Sequence, residues 1–531
     1  DQNRQFRLMR IRGYGGEPEP VNIREWQYGA DTGRLNVKVR DADGAPVTAR
    51  VSISAENGHP VAFPDDATFF DSQTGRHFFY VEGDAVFEVP AGSYEVLATR
   101  GPMTPVVSDA VRIRRNADAD AELAVEPIWD SSESGYVSAD YHVHLNGDGH
   151  HRATHDDALR ALAGEDLDQL VPMSWNRWER RIDRPLVGLR SERDGRVVVQ
   201  GQEVRSHFHG HIGLMGIEDP FEPWFFGPAN PTLGNPDLTN GDVIAYADAV
   251  GAFPTYVHPV GADEDPFEDG REGSIPLELV SDGVLSERMG IELVCAWTSQ
   301  LGVAAIWYRL LNIGRPVAAI SGTDAWVDFH RTPAVGTGRA YIRVGGEDRG
   351  FDDVLEGAAA GRSFLTTGPA LVFRLGDGSA PGDVTESGEK RWTATLASTS
   401  DIEIFEIIVN GVVAERREGV RAGETRTLEG TVDLPGGGWV AARAYSAERQ
   451  EDAWPSMHAR PFAHASPIWI DAIGSTDPEA RARAAQDLLR AVAASEARAS
   501  EAYGEVAMPR LEARFEAARQ ELETFIPEDV Q

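Results

Sequence analysis

The chain has 531 residues, 41% of them hydrophobic and 25% charged, with 85 acidic side chains against 50 basic ones for a net charge of −35. That length exceeds what a single hydrophobic core serves and points to three or four domains. So acidic a surface repels phosphate backbones and anionic lipid, which argues against nucleic-acid and membrane-surface partners. No apolar stretch approaches the roughly 20 residues that span a bilayer.

Asp1 stands where a methionine would start translation, and the expectation is a removed leader and a periplasmic or secreted location, with a cytoplasmic one as the alternative. Residues 33 to 128 alternate apolar and polar, with turn signals at "DADGAP", "AENGHP" and "VPAGSYEV", and predict a small antiparallel β domain within residues 1–134. Its segment "FEVPAGSYEVLATRG" resembles the carboxypeptidase-regulatory-like β-sandwiches attached to secreted enzymes.

Over residues 135–373 short apolar runs recur: "YVSADYHVH", "LDQLVPMSW", "RVVVQGQEV", "HIGLMGI", "AFPTYVHPV", "IELVCAW" and "PVAAISGTDA". Helix-like segments lie between several of them, among them "THDDALRALAGED", capped by Thr154 with Asp156 and Asp157 in its first turn. Strands alternating with helices predict a parallel α/β sheet. Because His142, His144, Glu203, His258 and Asp324 sit at or near the C-terminal ends of their runs, a seven-stranded, irregular barrel with its chemistry on that face is expected. The short link "RSHFH" leaves no room for a crossover helix, so the third and fourth runs are expected to form a hairpin. Cys295, the only cysteine, lies in an apolar run and reads as a small core residue.

Alternation returns over residues 374–472, where "IEIFEIIVNGVVAERR" carries an Asn-Gly hairpin signal and "GTVDLPGGGWVAARAYS" supplies two further strands of a second β-sandwich. Residues 473–531 read as a pair of packing helices, opened by a cap and an early proline and interrupted by Pro509.

The chemistry concentrates in "ADYHVHLNGDGHHRATHDD". His142 and His144 are two apart on a strand and share a face, which makes them a ready chelate for a borderline cation. Glu203, His211, His258 and Asp324 add the other ligand types, and imidazoles with two carboxylates suit one or two divalent cations. Zinc is the first expectation, with manganese or iron equally able to use this set.

The order H-x-H, G-x-E, G-H-x-G-L-x-G, Y-V-H-P and G-T-D resembles the PHP (polymerase and histidinol phosphatase) superfamily of metallohydrolases. Over residues 136–380, "GQEVRSHFHGHIGLMGI", "AAIWYRLLNIG" and "GTDAW" followed by "AAGRSFLTTGPAL" are similar to its CehA/McbA branch, named for carbaryl hydrolases. That resemblance implies a distorted seven-stranded (β/α) barrel flanked by two β-sandwiches and a helical tail. It implies His142, His144, Glu203 and Asp324 as ligands of one metal, and a bridging Glu203 with His211 and His258 as ligands of a second. The common superfamily pattern has Asp-His at the end of its second strand and Asp-x-His in its last motif, where this chain has Ser174, Trp175 and Trp326. A third metal site and the phosphoesterase chemistry that goes with it are therefore in question, and the branch implies carbonyl substrates.

The expected activity is hydrolysis of an ester, carbamate or amide bond in a small organic molecule. Phosphoester hydrolysis is the alternative, and a non-catalytic metal-containing binding protein a further one. Arg152 and Asn176, with Arg180, are the candidate carbonyl-polarising or leaving-group residues, set against a role as loop residues paired with acidic neighbours. Trp175, Trp178, Phe208, Trp224, Phe225, Phe226 and Trp326 would wall an apolar group or simply pack. Asp148 in "NGDG" reads as a turn, and His150, His151, His155, His207 and His209 as surface or pocket-lining residues. The partner is a small-molecule substrate, and a homo-oligomer is compatible with the sequence.

Overall fold

The alternation in "TGRLNVKVR" folds as the strand Thr32–Arg40, which buries Leu35, Val37 and Val39 and turns Arg34 outward. The computed structural model describes residues 30–527 apart from 64–66, 72–73, 147–151, 178–179, 182, 229–236, 329–332, 346–348, 449–453, 455–456 and 458–459, and the side chains of 176–181 also lie outside the description. A three-stranded and a five-stranded sheet close the N-terminal domain around Leu35, Val37, Phe79, Phe87 and Val96. The expected all-antiparallel pattern has one exception. Thr32–Arg40 runs parallel to Asp118–Ala124, with Val37 opposite Ala121, because the long intervening chain provides the crossover that a parallel pair needs.

The strand Tyr136–His144 is buried at every position, as expected of a strand covered on both faces. It pairs in parallel with Gln169–Ser174, which pairs in parallel with Gly201–Val204. The hairpin expected next is present: His211–Met215 runs antiparallel to Gly201–Val204, with Glu203 opposite Gly213. Phe253–Val257 is antiparallel in turn to His211–Met215, and Gly290–Val294 and Ala318–Ser321 follow in parallel. Ala325–Trp326 returns the chain onto Val143 and His144.

These seven runs belong to one closed sheet, but that sheet is larger than a seven-stranded barrel. Arg339–Arg343 adds to the other edge of Tyr136–His144, Ser363–Thr366 adds to it, and Leu365 faces His464 on Phe462–Ala465. Hydrogen-bonded sheet thus crosses the boundary expected at 373/374. The buried edge of Ser363–Thr366 needs a ladder partner, and the C-terminal domain supplies it.

Helices His155–Gly164, Asn240–Val250 and Gln300–Asn312 are capped by Thr154, Thr239 and Ser299 respectively. In the C-terminal domain Asn410 and Gly411, both at positive φ (50° and 82°), turn Ile404–Val409 into Val412–Glu418. The tail forms Pro478–Tyr503 and Pro509–Glu523. Gly504, at φ 58°, ends the first helix, and Pro509 starts the second instead of interrupting one, since a proline at the first helical position loses no hydrogen bond. Ala485, Leu488, Leu511 and Phe515 pack these helices into the same core as the barrel strands. No described helix is long and apolar enough to cross a membrane.

Candidate metal centre

Strand periodicity delivers the first two donors. His142 and His144 project from one face of Tyr136–His144 with ring centres 5.2 Å apart. Glu203 lies near the end of Gly201–Val204. His211 opens the next strand, and because that strand runs backwards, its first residue reaches the rim where its neighbours end. His258 follows Phe253–Val257, and Asp324 lies three residues past Ala318–Ser321. Both adopt left-handed backbone conformations, at φ 34° and 53°. Such positions cost of order 1–3 kcal/mol and persist where the surroundings impose them. Here the His258 N–H donates to Glu292 Oε2 at 2.6 Å and the Asp324 N–H to the His142 carbonyl at 2.7 Å.

The six side chains converge. Asp324 Oδ1 is 2.9 Å from His144 Nε2 and 3.5 Å from His142 Nε2. Glu203 turns its two oxygens to different sides, Oε2 at 3.4 Å from His144 Nε2, Oε1 at 2.6 Å from His211 Nδ1 and 3.5 Å from His258 Nε2. Their donor atoms fall into three overlapping groups, each within 4.8 Å: His142, His144 and Glu203; His142, His258 and Asp324; Glu203, His211 and His258.

Each strand imidazole is aimed by its far nitrogen. His142 Nδ1 is 3.0 Å from Glu292 Oε1, and His144 Nδ1 is 2.8 Å from the Met173 carbonyl, so both Nε2 atoms face the cluster. His142 Nε2 is buried there without a hydrogen bond among the described residues, and Asp324 Oδ1 faces two imidazole nitrogens at 2.9 and 3.5 Å. Lone-pair atoms crowded together and left unpaired are what a cation resolves, and the mixed imidazole and carboxylate set fits a divalent ion. His142, His144, Glu203 and Asp324 would hold one, and Glu203, His211 and His258 a second.

The electrostatics agree with a ligand set. Burial works against a charged His142, but Glu292 and Asp324 outweigh it and carry its pKa up to about 10. Burial likewise opposes the Asp324 carboxylate, while His142 and its neighbours hold it at about 2. Arg205 and His211 overcome burial to keep Glu203 well below the ordinary carboxylate range. Burial takes His211 down to about 4, so its ring is neutral, with a single N–H. Binding a cation would displace the His142 proton.

The other sequence candidates separate. Arg152 turns away: its side chain is 72% exposed and pairs with Asp183 at 3.1 Å. The side chains of Asn176 and Arg180, and residues Asp148, His150, His151 and Trp178, lie outside the described residues. His155 is buried between Ser191 Oγ (2.9 Å) and Gln200 Oε1 (3.1 Å), a core role and not a pocket-lining one. His209 is also buried, at 2.5 Å from both Glu278 Oε1 and Tyr503 Oη. His207 is exposed at the rim, with Nδ1 2.9 Å from His211 Nε2. Trp175 and Trp326 stand 5.8 Å apart beside His144, and these indoles occupy the positions where the resemblance would put ligands of a third metal.

Two residues were missed. Glu292 is fully buried inside "GIELVCAW", and an acid within an apolar strand is a signal, because carboxylates are almost never fully buried without partners. Cys295, three residues on, is buried as expected, and its thiol is pushed well up by burial and by Glu292 and Asp324. The second is Arg205, which stands two residues after Glu203 and lies 3.8 Å from its carboxylate.

No protein-family model and no curated protein sequence matches the chain. Among solved structures, it is similar at 14% identity to a two-domain protein containing a predicted PHP-like metal-dependent phosphoesterase from Bacteroides vulgatus ATCC 8482, over 58% of this chain and 91% of that one, with a TM-score of 0.32. A second likeness, to PsfC from Pseudomonas syringae PB-5123, has 16% identity over 42% of this chain and 88% of that one, with a TM-score of 0.26. Likenesses this distant assign neither family nor activity.

Proposed function

We propose that the chain is a metal-dependent hydrolase of the PHP type that cleaves an ester, carbamate or amide bond in a small organic substrate. One observation carries the reading: six donors, two from the strand Tyr136–His144 and four from other segments, meet on one rim, with His142 Nε2 buried and without a hydrogen bond among the described residues. A divalent cation bound there supplies Lewis acidity, lowering the pKa of water towards 7 and polarising a carbonyl or phosphoryl oxygen. The chain's own part is positional. Glu292 and the Met173 carbonyl fix the two strand imidazoles, and Glu203 offers one oxygen to each side of the cluster. Trp175 and Trp326 form an apolar wall beside His144, which suits an aryl or other apolar group and keeps bulk water from that side.

Phosphoester hydrolysis is the second reading, favoured by the guanidinium of Arg205 beside Glu203, a charge suited to a phosphoryl oxygen. Purified protein assayed with zinc, manganese or iron against aryl esters, carbamates, anilides and phosphate esters separates the two. Turnover of carbonyl substrates that is lost on chelation and restored by metal is the expected result. Turnover confined to phosphate esters would select the second reading, and no turnover by metal-loaded protein would leave a binding protein.

A further inference from the structure

Arg205 is a cation placed beside the donors without being one of them. Strand alternation puts it on the same face as Glu203. Its backbone is held on both sides, the N–H donating to the Trp224 carbonyl at 2.9 Å and the carbonyl accepting from the Phe226 N–H at 3.2 Å, so the side chain leaves from a fixed point. The guanidinium carbon lies 4.8 Å from the centre of the Trp175 ring. Nε is 3.8 Å from Glu203 Oε1, beyond hydrogen-bond range, and is buried without a hydrogen-bond partner among the described residues. Glu203 Oε1 meanwhile contacts His211 at 2.6 Å. The side chain keeps 20% of its surface exposed.

We propose that Arg205 binds an oxyanion of the substrate, a carboxylate or a phosphoryl group, directly beside the metal donors and so selects anionic substrates. The inference rests on the hydrolase reading and adds a substrate class to it. A guanidinium stays charged at every working pH, and its planar fork matches two oxygens of one anion. Stacking on the indole sets the plane of that fork before any ligand arrives, which spares the ordering cost of a free side chain. Charge points the same way. A chain carrying −35 repels anions from most of its surface, so one that accepts an anion needs a local positive site. Glu203 and Asp324 contribute two negative charges to the donor set, fewer than two divalent cations bring, and Arg205 tips the mouth further positive.

The test uses the full-length, metal-loaded protein and two variants. Arg205→Met keeps an unbranched stem against Trp175 without charge, and Arg205→Lys keeps the charge without the fork. Calorimetric titration with inorganic phosphate and with succinate reads binding directly and distinguishes the two sources of the anion. Arg205→Met should weaken the anion that is recognised about 10–100-fold, the range expected for hydrogen bonds to a charged group, with Arg205→Lys in between. The ratio of kcat/KM for 4-nitrophenyl hemisuccinate over 4-nitrophenyl butyrate, or for a phosphate monoester over the butyrate, should fall by a similar factor. Anion binding that is equal in wild type and Arg205→Met overturns the proposal. Equal losses on charged and neutral substrates together with lower metal content also overturn it, because they would mean that Arg205 only balances Glu203. A wild type that binds phosphate but turns over no substrate sinks the hydrolase reading instead, and the titrations still decide the role of Arg205.

Discussion

Replacing Glu292 by Gln changes one atom in a residue that touches no solvent, and the consequences are calculable. Glu292 Oε1 takes the His142 Nδ1 hydrogen at 3.0 Å, and Oε2 takes the His258 N–H at 2.6 Å. An amide has a single acceptor oxygen, so Glu292→Gln must turn its NH2 towards one of these two donors. A buried donor left unsatisfied costs about 1–3 kcal/mol. Changes in groups that orient a ligand typically lower metal affinity about 10–100-fold, or about 1.4–2.7 kcal/mol, which is the same range reached from the metal's side. The Glu292→Gln protein should therefore fold, as judged by circular dichroism, and bind zinc about 10–100-fold more weakly in competition with a chromophoric chelator. Zinc affinity within twofold of wild type would mean that His142 is aimed by packing alone and would refute the argument.

Glu203→Gln should reduce occupancy at both metal positions together, because its two oxygens face different donor groups, and elemental analysis would show the paired loss; full occupancy would remove Glu203 as a shared ligand. Gly322→Ala should cost about 1–3 kcal/mol of stability and lower metal content, since an added Cβ overlaps His142 Cβ and comes within 2.6 Å of Glu292 Oε1. Thermal melts with and without chelator measure both effects.

What was legible in the sequence follows from the range of its signals. An H-x-H on a strand fixes a shared face with no further information, and the remaining donors stand at the ends of apolar runs, so His142, His144, Glu203, His258 and Asp324 could be found together. His211 is recognisable because the six-residue link before it permits only a hairpin, and a hairpin brings the first residue of its second strand to the rim. Pairings between distant segments left no local mark. Nothing in "RSFLTTG" announces that Leu365 will face His464, and nothing in "GHHRATH" shows that Arg152 will pair with Asp183 about thirty residues on. His155 was misjudged for a similar reason: as the first residue of its helix it looks like loop, yet the capping box at Thr154 turns it inward to Ser191 and Gln200. Glu292 does leave a local mark, since an acid inside the apolar strand Gly290–Val294 is buried only if partners hold it.

His464 lies where the helix Gln300–Asn312 docks on the C-terminal sheet, fully buried, and its protonation links that contact to pH. Its Nδ1–H donates to the Ala465 carbonyl at 2.7 Å, and Nε2 accepts from the Tyr308 hydroxyl at 2.5 Å. The neutral ring therefore satisfies both nitrogens, while a protonated one would set a donor against the hydroxyl and a charge among Trp307, Phe462 and Arg443. Burial, with Arg443 adding to it, carries the pKa from 6.5 down to about 3. Between these values the unfolded chain takes up a proton that the folded chain refuses, so this contribution is complete above pH 6.5 and is lost as pH falls towards 3. The loss is about 1.4 kcal/mol per pH unit, or about 2.7 kcal/mol two units below the unfolded value. His464→Gln cannot titrate, so the stability difference between wild type and variant should shrink by about that amount between neutral pH and two units below 6.5. Urea unfolding of both proteins at each pH, in chelator to silence the metal donors, reads the difference directly. A gap that stays constant over that interval would show that His464 is protonated in the folded protein, and that the Tyr308 hydroxyl accepts from it instead of donating.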